Sequence, residues 1–215
     1  MIETKRLALI FDLDGTLRDA IEPIKDAWNL AMEEHNLLYR FDYPTIKSFM
    51  GLTPKETIDI AFKDVSFEKG QEYFEILINK EIEYLKTHPG KLYENEENVL
   101  KELNKKYDLF IVSNSDKGYI ENYLNYFNFN KYFKDHLCAG DTKLEKYQNI
   151  LLVKEKYRLN EVFYIGDTLK DKIESEKANV NFIHAKYGFG NINSQCLSIN
   201  SLDELPNLIE KVRKS

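Results

Sequence analysis

Leu9-Ile10-Phe11-Asp12-Leu13-Asp14-Gly15-Thr16-Leu17 decides how this chain is read. The run from Leu7 to Phe11 is apolar, short and free of glycine and proline, the pattern of a buried strand. It passes straight into two acids, a glycine and a threonine. In α/β sheets, ligands bind at the carboxyl ends of strands. Two carboxylates one residue apart at such an end repel each other, and a bound cation or a reaction accounts for them better than packing does. An acidic turn after an edge strand is the plainer alternative.

Two textures follow this stretch. From Arg18 to Lys86 the pattern is helical, with no strand signal. Ile21, Ile24, Ala27-Trp28 and Ala31-Met32 recur at helical spacing as far as Asn36. A brief helix is expected near Thr45 to Met50, and Thr53-Pro54-Lys55-Glu56 reads as a helix start with Thr53 as N-cap. A long helix from Phe67 to Lys86 is stopped by His88-Pro89-Gly90. Beyond it, expected strands at Leu109–Val112, Leu137–Ala139, Val162–Ile165, Val180–Ala185 and Cys196–Ile199 alternate with expected helices at Lys117–Phe127, Tyr147–Tyr157, Asp171–Ala178 and Leu202–Val212. This alternation predicts βαβ units and a parallel sheet. The predicted organisation is an α/β core of residues 1–17 and 88–215, interrupted by an all-α insertion of residues 18–87 that sits over the acidic loop as a lid.

The bulk properties narrow the function. A chain of 215 residues with 43% hydrophobic residues has room for one sizeable core and a small accessory domain. A net charge of −6 leaves no electrostatic footprint for nucleic acid. No apolar run is long enough to span a membrane. Met1 to Arg6 is polar and carries no signal-peptide pattern. Cys138 and Cys196 are far apart without metal spacing, and are expected to be reduced, buried thiols of a cytoplasmic protein. His35, His88, His136 and His184 show no paired spacing and are expected to be structural or exposed.

Residues with reactive side chains collect where the strands end. Asp12 and Asp14 follow the first strand, and Ser113-Asn114-Ser115 follow Leu109–Val112. Gly166-Asp167-Thr168-Leu169-Lys170-Asp171 follows Val162–Ile165, and Lys143 and Lys146 precede the helix before that strand. Parallel neighbours place these ends on one rim. Acids from separate strands suit a hard cation that keeps waters for a phosphate. A hydroxyl with free backbone N–H groups suits phosphate oxygens, and so does a lysine. A carboxylate and one phosphate charge at about 4 Å repel by roughly 4 kcal/mol at an effective dielectric of 20, so attack by an acid needs a cation nearby.

The order of these motifs resembles the haloacid dehalogenase-like hydrolase superfamily, in its phosphoglycolate phosphatase-like branch with a helical cap. Asp12-x-Asp14-Gly15-Thr16 resembles the first motif, Ser113-Asn114 the second, Lys143 the third and Gly166-Asp167-x-x-x-Asp171 the fourth. Tyr187-Gly188-Phe189-Gly190 is similar to a segment common in that branch. The resemblance implies a Rossmann-like core and a Mg²⁺-dependent phosphatase acting on a small phosphorylated metabolite, such as phosphoglycolate or a sugar phosphate. It implies Asp12 as nucleophile and Asp14 as acid and base. It implies Gly15, Ser113, Asn114 and Lys143 around the phosphate. The ion would be held by Asp12, the carbonyl of Asp14 and Asp167, with Asp171 in a supporting place. Lys146 is the alternative to Lys143, whose spacing to Asp167 is the better match. A phosphosugar mutase of the β-phosphoglucomutase type and a catalytically silent binding protein remain as alternatives on the same scaffold. Arg18 stands where the family usually has an aliphatic residue and is expected to be solvated at the lid hinge. Gly51-Leu52-Thr53 resembles the substrate-facing loop, with Lys47 and Lys55 flanking it.

Overall fold

The computed structural model describes residues 7–214; the polar stretch Met1–Arg6 lies outside the described residues. Strand β1 spans Leu7–Phe11. A two-residue strand β2 (Arg18–Asp19) then leads into four helices: α1 (Ile21–Glu34), α2 (Tyr43–Phe49), α3 (Pro54–Ala61) and α4 (Phe67–Leu85). The chain returns through β3 (Lys91–Leu92) and α5 (Glu96–Leu103). It continues as β4 (Asp108–Ser113), α6 (Tyr119–Tyr126), β5 (Asp135–Cys138), α7 (Ala139–Thr142), α8 (Lys146–Tyr157), β6 (Glu161–Gly166) and α9 (Leu169–Lys177). It ends with β7 (Asn181–Ala185), β8 (Leu197–Ile199), a 3₁₀ turn at Leu202–Glu204 and α10 (Leu205–Arg213).

Six strands form a sheet in the order β5-β4-β1-β6-β7-β8, every pair parallel. This is an α/β, Rossmann-like sheet. Along β1 the side chains alternate between its two faces. Leu7, Leu9 and Phe11 join one apolar cluster, and Ala8 and Ile10 join the other. Both faces are covered by helices, which is why the strand reads as a continuous apolar run. Ile150 and Val153 of α8 pack on the second face, and Ile120 of α6 and Ile209 of α10 on the first. The sheet grows to one side of β1 through β4 and β5 and to the other through β6, β7 and β8. β1 therefore sits at the switch of direction, where an α/β sheet opens a crevice beyond its strand ends.

The helical segment stands between β1 and β4. α1 packs against α4, and the Trp28 ring lies among Phe41, Phe49 and Phe74 at centroid distances of 5.2, 5.8 and 6.2 Å. Its apolar residues belong to the same cluster as one face of the sheet. α3 starts as expected, with a capping box between Thr53 and Glu56.

Two expectations need correction here. The stretch from Arg18 to Lys86 was predicted to lack strands, yet Arg18 and Asp19 pair antiparallel with Leu92 and Lys91. Two residues are too few to show a period, so only the returning chain reveals them. Cys196 was predicted to be buried and is half-exposed, whereas Cys138 is buried; both are free. Among the described residues no helix is long and apolar enough to cross a membrane.

Candidate active site

β1 delivers Asp12 to the rim. Its backbone N–H still donates to the Ile165 carbonyl at 2.8 Å, so the pairing with β6 runs one residue past the strand and holds the backbone there. The residue is 5% exposed. Lys146 Nζ donates to Asp12 Oδ1 at 2.9 Å and to Asp171 Oδ1 at 2.6 Å, and is itself 2% exposed. Tyr164, whose hydroxyl donates to the Val112 carbonyl at 2.9 Å, places its ring 5.7 Å from that ammonium.

Asp171 owes its position to a helix start. Thr168 caps α9, and Asp171 Oδ2 accepts from the Thr168 N–H at 3.0 Å and from its hydroxyl at 2.6 Å. Burial alone raises this carboxyl, but Lys146 and Thr168 together hold it below the usual range. Asp167 ends β6. Its Oδ2 accepts from the N–H groups of Phe189 at 2.7 Å and Gly190 at 3.2 Å, while its buried Oδ1 has no partner. Burial, reinforced by Asp171, pushes it up to about 7.

Two glycines make this crowding feasible. Gly15 has φ +84°, and a Cβ there would stand 2.4 Å from Asp167 Oδ2. A Cβ on Gly188 would stand 2.3 Å from both Asp167 Cβ and the Gly15 carbonyl oxygen. Tyr187 fastens the same segment by donating from its hydroxyl to the Thr16 carbonyl at 2.7 Å.

Carboxylate oxygens of Asp12, Asp167 and Asp171 lie within 4.8 Å of one another. Three acids face one ammonium. Burial drives Asp12 up to about 8 against the pull of Lys146, with Asp171 and Asp167 adding to the rise. The orphaned Asp167 Oδ1 and three carboxyl groups gathered around one ammonium fit an oxygen-ligated divalent cation.

Several predicted site residues meet and others do not. Asp12, Ser113, Asn114 and Lys146 line one cavity of about 100 Å³ under the helical segment. Ser113 is buried at the end of β4, and its hydroxyl accepts from the Ser115 N–H at 3.3 Å. Asn114 reaches the helical segment, donating to the Gly51 carbonyl at 3.2 Å.

Lys143 does not join this group. It is exposed, in the left-handed position that ends α7 (φ 60°), and lines a neighbouring opening. Lys143 was expected beside Asp12; the lysine that reaches Asp12 is its alternative, Lys146, because the first residue of α8 is the one aimed at the β1 end. Asp14, expected to reach the metal through its backbone carbonyl, lines the same cavity. Its carboxylate is turned away from the three-acid group into an ion pair with Arg18, Nε to Oδ1 at 3.1 Å.

Arg18 is not solvated. It is fully buried, donates to the Pro89 carbonyl at 3.1 Å and lies 4.6 Å over the Tyr119 ring. Of Gly51-Leu52-Thr53, Gly51 and Leu52 line the cavity, while Thr53 caps α3 and lines the neighbouring opening. Lys55 instead pairs with Asp59 at 2.7 Å in solvent, and Lys47 is exposed and lines no part of the cavity. Glu81 and Trp28 in the cavity roof were not singled out. A lone acid in a charged helix gives no signal in sequence.

At the end of the central strand of a Rossmann-like sheet, a buried lysine thus joins Asp12 to Asp171 beside a three-carboxylate cluster. The profile of the haloacid dehalogenase-like hydrolases matches residues 9–185, and the chain belongs to that family. It is 27% identical over 196 residues to a phosphoglycolate phosphatase of Psychrobacter arcticus, covering 84% of each chain. It is 27% identical over 194 residues to a phosphoglycolate phosphatase of Aquifex aeolicus, covering 87% of this chain and 88% of the relative. The fold matches a haloacid dehalogenase-like hydrolase of Streptococcus pneumoniae with a TM-score of 0.78 at 20% identity, over 94% of this chain and 98% of that one.

Proposed function

We propose that this chain is a Mg²⁺-dependent phosphatase that hydrolyses a small phosphorylated metabolite through an aspartyl phosphate on Asp12. The observation that carries this is the buried Asp12–Lys146–Asp171 chain at the floor of the cavity under the helical segment. Phosphoglycolate, named for the two relatives, is the candidate that likeness offers.

In this reading Lys146 and the Ser113 hydroxyl hold phosphate oxygens, so that the phosphorus faces Asp12 Oδ. Asp12 attacks phosphorus and the ester oxygen leaves. Asp14 gives that oxygen a proton and later takes one from the water that opens the acyl phosphate. Arg18 holds the Asp14 carboxylate in place. Asp12, Asp167 and the Asp14 carbonyl would hold the Mg²⁺, which supplies positive charge against the phosphate oxygens. Asp171 serves by orienting Lys146.

Residues 18–87 act as a cap that shuts water out during transfer. Contacts from Asn114 to Gly51 and from Asn122 to Ile82 at 2.8 Å support a closed state. Free Cys138 and Cys196 suit a reducing cytoplasm.

The test is hydrolysis of an aryl phosphate with Mg²⁺, with a chelator, and with Asp12→Asn. Loss of at least about 10³-fold in the variant, which stays folded, is expected, together with loss in chelator. Activity that survives in Asp12→Asn would overturn the proposal.

A further inference from the structure

The wall that faces the leaving group has a definite electrostatic character. Opposite Asp12 and Lys146, the cavity is closed by Trp28, Phe49 and Phe74 from the helical segment and by Tyr119 from α6. Two acids stand among these rings, Glu81 of α4 and Asp116 of the loop after β4. Glu81 is 6% exposed, and one carboxylate oxygen accepts from the Trp28 indole N–H. Among the described residues no other hydrogen-bond donor and no lysine or arginine is paired with it. Lys146, the cavity's only lining cation among the described residues, is spent on Asp12 and Asp171. Arg18 does not line the cavity; it lies behind Asp14 and Tyr119. Lys143 acts on Asp116 from the neighbouring opening.

A substrate whose alcohol carries a carboxylate would set that charge beside two carboxyl groups, on a wall lined by no lysine or arginine among the described residues other than Lys146. An ammonium group would meet aromatic faces and two acids, the combination that recognises organic cations. The cavity, about 100 Å³, suits a compact group.

Resting on the phosphatase reading above, we propose that the ester's alcohol carries an ammonium group rather than a carboxylate, and that Glu81, with Asp116 and Trp28 beside it, selects it by charge. The substrate class is then a short amino-alcohol phosphate. Burial drives Glu81 up to about 8; the Trp28 N–H opposes this, Asp14 and Asp116 add to it, and Arg18 opposes it. Such a carboxyl lacks a counter-charge, and a bound ammonium supplies one.

Ethanolamine phosphate and phosphoglycolate test this directly, since both release a two-carbon alcohol and differ in the charge of its far end. Their kcat/KM values are measured in wild type, Glu81→Gln and Asp116→Asn, with an aryl phosphate alongside. Wild type should favour ethanolamine phosphate by at least about tenfold. Each variant should cut that ratio several-fold; as a ratio, it is unaffected by a general loss of activity. If neither two-carbon ester turns over, their inhibition of aryl phosphate hydrolysis is compared, and the same order is expected. Phosphoglycolate equal to or better than ethanolamine phosphate in wild type overturns the proposal, and so does a ratio that neither variant moves. Aryl phosphate hydrolysis that requires Asp12 would in that case leave the phosphatase reading standing. Absence of any Asp12-dependent hydrolysis would remove both.

Discussion

Two lysines three residues apart, Lys143 and Lys146, differ entirely in consequence. Lys146 is a buried cation balanced by two carboxylates, and removing it leaves both acids buried and unpaired. Lys146→Ala is expected to cost about 3–5 kcal/mol of stability and to abolish aryl phosphate hydrolysis, as urea unfolding and a rate assay would show. Lys143→Ala removes an exposed side chain and should stay within about 0.5 kcal/mol and within about threefold in rate. The reverse result would restore Lys143 to the site. Both lysines were visible as candidates in the sequence. The choice between them was not, because it depends on where α8 begins. Helix boundaries are the least certain part of a sequence reading, and a shift of one turn carries a side chain from the rim to solvent. Asp12, Ser113, Asp167 and Asp171 were legible because each follows or caps an element with a strong apolar pattern. Arg18 was misread because a buried arginine looks like a solvated one until its partners, Asp14, the Pro89 carbonyl and Tyr119, are in place.

Among the elements, the two short strands β2 and β3 decide how the helical segment is attached. They bring the departing and returning chain side by side, and Gly90 packs against them at φ +86°. A Cβ on Gly90 would stand 2.5 Å from the Asp19 carbonyl oxygen, a backbone atom that cannot swing aside. Gly90→Ala should therefore lower stability by about 2 kcal/mol, read as a fall in Tm. It should also change kcat and KM together, as hinge variants do. An unchanged Tm and unchanged kinetics would show that this junction carries no constraint. The long elements were legible from periodicity: β1 and the starts of α3 and α4 fall where expected. α5 was missed. Its eight residues hold Val99, Leu100 and Leu103 behind a polar run, and its N-cap Asn95 sits in the left-handed region without a side-chain cap. A helix of two turns shows too little of its period to stand out.

Across the whole molecule, buried acids outside the proposed catalytic group set a dependence of stability on pH. Glu96 is buried, accepts from the Tyr123 hydroxyl and from the Tyr93 N–H at 3.3 Å, and is pushed up to about 8, chiefly by burial. Its folded pKa lies above the unfolded value of 4.5, so between the two the folded chain binds the extra proton. The resulting stability is complete below about 4.5 and is lost as pH rises through about 8. Within that window the slope is about 1.4 kcal/mol per pH unit. Glu96→Gln should remove most of this slope, since the amide can take the place of the neutral acid and the Tyr123 hydroxyl can turn to accept. Urea midpoints at several values between pH 5 and 9 would reveal it. Parallel curves for wild type and variant would show that Glu96 does not carry the effect.

From the sequence alone came the alternation of strands and helices, the helical stretch after the first strand, and the collection of acids, hydroxyl and lysine at one rim. These follow from local rules: apolar period, caps, breakers and the direction of parallel strands. Which lysine meets Asp12, where the Asp14 carboxylate turns, and that Glu81 faces the cavity were decided only by the tertiary structure. Each depends on desolvation and distance between segments remote in the chain: Lys146 and Asp12, Arg18 and Pro89, Glu81 and Trp28. A charged side chain reads the same in sequence whether water or a buried partner balances it. Only the packing of remote elements removes the water and leaves the partner.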